Sequence, residues 1–187
     1  NFSYLSKQIK EFDVKNIIIS DKKGYDFVRK KFKTINVFNN FNDIKKIFKS
    51  KIDYSMCAIS GFNGLKPTLD IIKFSKTVAI ANKESIICGW NLINNRLKKY
   101  KTKFIPVDSE HFSIWSLIKN NKIETIDKII ITASGGPFLN LPKHKFKDIN
   151  PRKAIKHPTW KMGRKISIDS ATMMNKIFEL IEARKIF

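Results

Sequence analysis

At 187 residues, with 42% hydrophobic and 12% aromatic content, the chain can bury a real core, which excludes wholesale disorder. No run approaches the roughly 18 consecutive apolar residues of a membrane-spanning helix, so no membrane association is expected. The formal charge of +21 would suit a nucleic-acid partner, but the lysines are scattered along the whole chain among Ile, Asn and Phe. That mixture reads as AT-rich coding with lysine on solvated positions, and no nucleic acid is expected.

Periodicity predicts elements in a regular order. Residues 1–12 (NFSYLSKQIKEF) place Leu5, Ile9 and Phe12 at helical spacing, and 14–20 (VKNIIIS) is a short β-branched run suited to a buried strand. A helix over 26–32, a strand over 35–38, a helix over 42–49 and an apolar strand over 54–59 (YSMCAI) follow. Then come a helix over 67–74, a strand over 77–81 (TVAIA), a helix over 85–100 and a strand over 103–107 (KFIPV) ending at Asp108. Strands alternating with helices in this rhythm indicate a parallel, doubly wound α/β sheet. Beyond Asp108 the rhythm loosens: a helix over 111–119, strands over 128–133 (KIIITA) and 164–168 (RKISI), and a helix capped by Asp169 or Ser170 and running to Ala183. The domain change is placed near 107–111. Cys57 and Cys88 form no CxxC pair and read as buried, reduced thiols. The start at Asn1 rather than Met, and the stop at Phe187 within a helical pattern, predict an internal piece of a longer protein.

Five places carry site chemistry. Asp108 and Glu110 lie two apart at a strand end; on extended backbone such side chains share a face, where they could converge on one cation or simply be solvated. Asn175, Lys176 and Glu179 fall on one helical face, with Ile177, Leu180 and Ile181 supplying apolar surface. With Ser170 at the helix start they suit a phosphate; the plainer alternative is an exposed face with a Lys176–Glu179 ion pair. Ser134-Gly135-Gly136-Pro137 allows close backbone approach to an anion, or is an ordinary turn. His157-Pro158-Thr159-Trp160-Lys161-Met162-Gly163 suits a mobile cover over a ligand, or a loop packed on its own domain. Ala81-Asn82-Lys83-Glu84-Ser85 follows a parallel strand directly, where open α/β sheets bind ligands and where helices are also capped.

In order, ANKES, VDSEH, SGGPF and the long block HPTWKMGRKISIDSATMMNK resemble the 1-deoxy-D-xylulose 5-phosphate reductoisomerase family, loosely over 1–50 and tightly from Gly61 onward. The resemblance implies a partial Rossmann-like NADPH-binding domain over 1–107 and a partial α+β catalytic domain over 108–187. It implies Asp108, Glu110 and Glu179 as ligands of Mg²⁺ or Mn²⁺. Implied substrate contacts are Lys83, Ser109, Glu110, Ser134, His157, Ser170, Asn175, Lys176 and Glu179, with Trp160 and Met162 in a lid. Lys83 and Glu110 take the catalytic roles, and Asn1, Asn82, Glu84 and Gly163 contact NADPH. The implied reaction is metal-assisted carbon–carbon cleavage and rejoining, followed by reduction with NADPH. The implied setting is a homodimer acting on a small phosphorylated sugar, cytoplasmic in a bacterium or in a plastid-type organelle. Two features depart from the family pattern. Ile177 and Phe178 stand where a Gly and an aliphatic residue are usual, and the family's Gly-rich phosphate turn and C-terminal helical region are absent. A different class of function, a basic nucleic-acid or anion-binding module, is separated by geometry: a binder gathers lysines on one face, an enzyme of this family brings three carboxylates together.

Overall fold

The computed structural model describes residues 2–187, so the expected NADPH contact at Asn1 lies outside the described residues. The first half alternates as the periodicity requires: α1 (Phe2–Glu11), β1 (Asn16–Ile18), α2 (Lys22–Lys31), β2 (Asn36–Phe38), α3 (Ile44–Ile47), β3 (Ile52–Cys57), α4 (Leu65–Ile72), β4 (Ser75–Ile80), α5 (Lys83–Tyr100) and β5 (Lys103–Pro106). Local chemistry sets the helix starts. The Asp21 carboxylate accepts from the Gly24 amide at 2.7 Å, and the Asn82 side chain accepts from the Ser85 amide at 2.5 Å, each satisfying a first-turn N–H. Helix α5 ends on Lys101 in the left-handed conformation, whose N–H returns to the Leu97 and Lys98 carbonyls.

All strand pairings are parallel. They form two sheets, β1–β2 and β3–β4–β5, rather than one continuous sheet. Cys57, Leu65, Ile72, Val78, Ile80, Ile86, Ile93 and Leu97 form a buried cluster between the three-stranded sheet and helices α4 and α5. Gly89 lets the helices close: a Cβ there would strike the Leu65 side chain. In the register, Ile80 lies opposite Pro106, so the chain leaves β4 and β5 at neighbouring points on the sheet's carboxyl edge. Lys83 and Asp108 are thereby delivered side by side.

After β5 come α6 (Ser109–Ile118), α7 (Pro151–Ala154), α8 (Arg164–Ala171) and α9 (Met174–Ile186), with no strand among the described residues. Two expected strands are therefore corrected. Residues 128–133 join no ladder, and Ile129 and Ile130 stay exposed; the run lines a cavity with α6 instead of pairing with a strand. The short Lys-Ile-Ser-Ile alternation at 164–168 is helical, because Gly163 accepts from Ser167 and Lys165 pairs with Asp169 one turn on at 2.8 Å. The expected continuous helix from Ser170 to Ala183 breaks at Met173, which is left-handed (φ 62°), and the Thr172 hydroxyl donates back to the Ile168 carbonyl at 2.9 Å. Ser170 thus lies in the last turn of α8 instead of capping a helix. Cys57 is buried as expected, whereas Cys88 is exposed on α5.

Candidate active site

Helix α9 packs with its polar side inward. Glu179 and Glu182 are buried, while Ile177 (48% exposed) and Leu180 (63%) face outward, so the apolar surface these positions supply lies away from the acidic face. The acidic face meets the carboxyl edge of the three-stranded sheet and the start of α6. The Asp108 and Glu110 geometry also needs correcting. The backbone does not stay extended between them: Asp108 caps α6, which begins at Ser109, and Glu110 lies in its first turn. The two nevertheless converge with Glu179, one oxygen from each lying within 4.8 Å of the others.

Two ammonium groups thread this carboxylate triangle. Lys83 Nζ stands 3.1 Å from Asp108 Oδ2 and 3.8 Å from Glu179 Oε1, and donates to Asn175 Oδ1 at 2.8 Å. Lys176 Nζ pairs with Glu110 Oε1 at 2.9 Å and with Glu179 Oε2. The Asn175 amide donates to Glu179 Oε1, and the Ser109 hydroxyl donates to Glu110 Oε2 at 2.7 Å. Burial pushes the Asp108 carboxyl up, but His111 and the Lys83 ammonium outweigh it and hold the group well below the usual carboxylate range. For Lys176 burial acts downward, and Glu179 and Glu110 overcome it, so its pKa is raised and the ammonium is secured. Three carboxylates from two helices, converging within 4.8 Å with Glu179 buried among them, form a donor set that fits a hard divalent cation.

A cleft of about 510 Å³ opens over this cluster. It is lined by Lys83, Asp108, Ser109, Glu110, Ser134, His157, Trp160, Ser170, Asn175, Lys176 and Glu179. Every residue expected to hold metal or substrate therefore reaches one space. His157 Nδ1 accepts from the Thr159 and Trp160 amides at 3.1 and 3.0 Å, so it carries no proton. Its Nε2–H is left to donate to Ser134 Oγ at 3.2 Å. Gly136 (φ 64°) seats its backbone directly on the end of α8, bringing the SGG turn against Ser170. The helix N-terminus that serves the cleft is that of α9, beginning at Met174, rather than one at Ser170.

Residues 1–89 match the model of 1-deoxy-D-xylulose 5-phosphate reductoisomerase, and residues 104–187 match the model of that enzyme's C-terminal domain. The chain belongs to the 1-deoxy-D-xylulose 5-phosphate reductoisomerase family. The reductoisomerase of Pelagibacter ubique (strain HTCC1062) is 65% identical over 191 residues, covering 100% of this chain and 49% of that protein. The reductoisomerase of Thermodesulfovibrio yellowstonii is 43% identical, over 98% of this chain and 48% of the relative. The solved reductoisomerase from Zymomonas mobilis in complex with NADPH superposes with a TM-score of 0.87 at 35% identity, covering 100% of this chain and 48% of that one. A reductoisomerase solved with NADPH, fosmidomycin and magnesium gives 0.84 at 33% identity, over 100% and 49%. The chain spans about half the length of the relatives it matches.

The positions expected to meet NADPH, among the described residues, lie beside the cleft rather than in its lining. Glu84, at the start of α5, pairs with Lys165 at 3.5 Å, which brings it to the beginning of α8, where Gly163 has no atom within 4 Å of a Cβ position. The Asn82 side chain is committed locally: besides capping α5, its amide donates to the Ile59 carbonyl and, at 2.9 Å, to that of Gly61. Sequence reasoning missed His111 and Glu182, both fully buried behind the carboxylate triangle. The signal was present as spacing. His111 follows Asp108 by three and Glu182 follows Glu179 by three, which places each on the same helical face as its metal-site neighbour.

Proposed function

We propose that the full-length protein converts 1-deoxy-D-xylulose 5-phosphate to 2-C-methyl-D-erythritol 4-phosphate with NADPH and Mg²⁺ or Mn²⁺, and that this chain carries the metal and substrate groups. The observation that carries the proposal is the convergence of Asp108, Glu110 and Glu179 beneath a cleft lined by the other expected substrate contacts. That convergence is also what disfavours the basic-module reading. A cation held by the three carboxylates supplies Lewis acidity toward the substrate's neighbouring ketone and hydroxyl oxygens. NADPH would supply the hydride for the aldehyde formed when the carbon skeleton is cleaved and rejoined; Glu84 and Gly163, which the resemblance assigns to it, begin α5 and precede α8, two helices joined by the Glu84–Lys165 ion pair.

The chain's own residues do the positioning. Lys83 is fixed by Asn175 and Asp108 so that its ammonium faces the reacting oxygens and stabilises negative charge or passes a proton there. Ser134, Ser170, the Nε2–H of His157, and Asn175 and Lys176 at the start of α9 hold the phosphate. Binding energy at that remote end holds the reacting carbons in place. Trp160, 62% exposed on the 157–163 loop, is free to cover the bound substrate and exclude water. From the same resemblance we infer a homodimer, cytoplasmic or plastid-type.

The test is NADPH oxidation by the full-length protein, dependent on 1-deoxy-D-xylulose 5-phosphate and on added Mg²⁺ or Mn²⁺. Glu179→Gln should weaken metal binding by at least the roughly 10- to 100-fold seen when even outer-shell groups are lost. A wild-type protein with no metal-dependent turnover of this substrate refutes the proposal.

A further inference from the structure

Behind the carboxylate triangle lies a second layer with no role in the reaction described so far. His111, one turn after Asp108 on α6, is fully buried. Its Nε2 meets the Glu179 backbone carbonyl at 2.8 Å; a carbonyl only accepts, so Nε2 carries a hydrogen. The other ring nitrogen, Nδ1, faces Asp108 Oδ1 at 3.3 Å and Glu182 Oε2 at 3.9 Å. Glu182 is wholly enclosed, one turn beyond Glu179 on α9, and neither of its oxygens has a hydrogen-bond partner among the described residues. One ring therefore touches two expected metal ligands from behind, Asp108 through its side chain and Glu179 through its backbone.

A carboxylate left without hydrogen bonds in a protein interior costs several kcal/mol, and an aliphatic side chain of similar volume would fill the space without that cost. Packing gives no reason for Glu182. Its carboxyl group faces the Nδ1 edge of His111 at 3.9 Å. We propose that Glu182 is a positioning residue for the metal site, acting through His111. Its carboxylate fixes the plane of the imidazole, and the imidazole in turn sets the spacing between Asp108 on α6 and Glu179 on α9. The inference rests on the metal-dependent reading above, because it assigns these groups to the support of that cation.

The test uses the full-length protein and reads Mn²⁺ binding by titration and the His111 ring nitrogens by ¹⁵N NMR, neither of which needs turnover. Glu182→Gln should weaken Mn²⁺ binding by about 10-fold, within the range for groups that orient a metal's ligands, and should shift the His111 ring resonances in the metal-free protein. Glu182→Asp, which keeps the carboxyl group, should recover most of the affinity, and it carries the same comparison if the Gln variant does not fold. In a His111→Gln background, Glu182→Gln should add no further loss, because its route to the metal is already cut. Unchanged Mn²⁺ affinity and ring resonances, with only the unfolding midpoint altered, would overturn the inference in favour of plain packing. A second Mn²⁺ per chain, lost in Glu182→Gln, would overturn it in favour of a separate cation site. Wild-type protein that binds Mn²⁺ but does not turn over the substrate refutes the proposed function and leaves these readouts able to decide the inference.

Discussion

Two glycines flanking the candidate site should respond unequally to the same substitution. Gly136 has φ 64°, and a Cβ there would lie 2.9 Å from the Ser170 carbonyl oxygen and 3.1 Å from Ala171 Cα. Alanine in the left-handed region costs about 1–2 kcal/mol, and forcing the end of α8 aside adds about 1–3 kcal/mol. The sum, roughly 2–5 kcal/mol, corresponds to a Tm fall of about 5–15 °C for a domain of this size. Ser170 moves with α8, so substrate binding should weaken as well. Gly163 has φ −62° and ψ 155°, ordinary for any residue, and a Cβ there meets nothing within 4 Å. Gly163→Ala removes about 0.4–1 kcal/mol of unfolded-chain entropy, offset by poorer capping of α8, and should leave stability within about 0.5 kcal/mol of wild type. Thermal unfolding of both variants in the full-length protein, with KM for the substrate, makes the comparison. Equal Tm values for the two would refute the claim that the SGG turn is seated on α8 by the absence of a side chain.

The buried layer makes a pH prediction. Burial and the charges of Asp108 and Glu179 push Glu182 up to about 7 against the opposing pull of His111 and Lys83, so the folded state holds this proton more tightly than the unfolded chain does. Its contribution to stability is complete below the ordinary value of 4.5 and is lost as pH rises to about 7. His111 acts in the same direction: burial lowers its pKa, but Asp108 and the Glu179 carbonyl outweigh it and raise it above 6.5. Asp108 runs the other way, losing its contribution as pH falls below 3.8. Urea midpoints of the metal-free protein should decline from pH 5 to 8, less steeply in Glu182→Gln; identical slopes would contradict the assignment. Trp160→Ala should leave Tm within about 1 °C, as expected for an exposed side chain, while lowering kcat; unchanged kcat and KM would return the indole to local packing.

How much was readable in advance differs between the halves of the chain. The βα alternation through Pro106 was legible because β-branched runs such as 77–81 are short, apolar and bounded by turn residues. Which residues gather was legible from motif order, since the metal and substrate positions it named share a cleft. The route by which they meet was not. Asp108 and Glu110 suggested a shared strand face, but the chain has already turned into α6 at Ser109, and the carboxylates converge through a helix cap and its first turn. The alternation at 164–168 was too short to decide between strand and helix, and the ion pair of Lys165 with Asp169 belongs to the helix. Helix α9 was the hardest to read. Amphipathic reasoning puts Ile177 and Leu180 inside, yet the interior this helix faces is a charged site, so its acidic stripe turns inward. Met173 had no signal at all, since a left-handed residue that is neither Gly nor Asn leaves no trace in composition.

The tautomer of His157 has a further consequence for how the loop above the cleft and the pocket below it communicate. The amides of Thr159 and Trp160 both end on the single lone pair of Nδ1, while the opposite nitrogen points its hydrogen at Ser134. A neutral ring can therefore present a donor to a phosphate and keep the loop backbone tethered in the same state. The imidazole works as a tether between cover and anchor: opposite edges of one ring hold the loop backbone that carries Trp160 and the Ser134 side of the pocket, so a displacement of either is passed to the other.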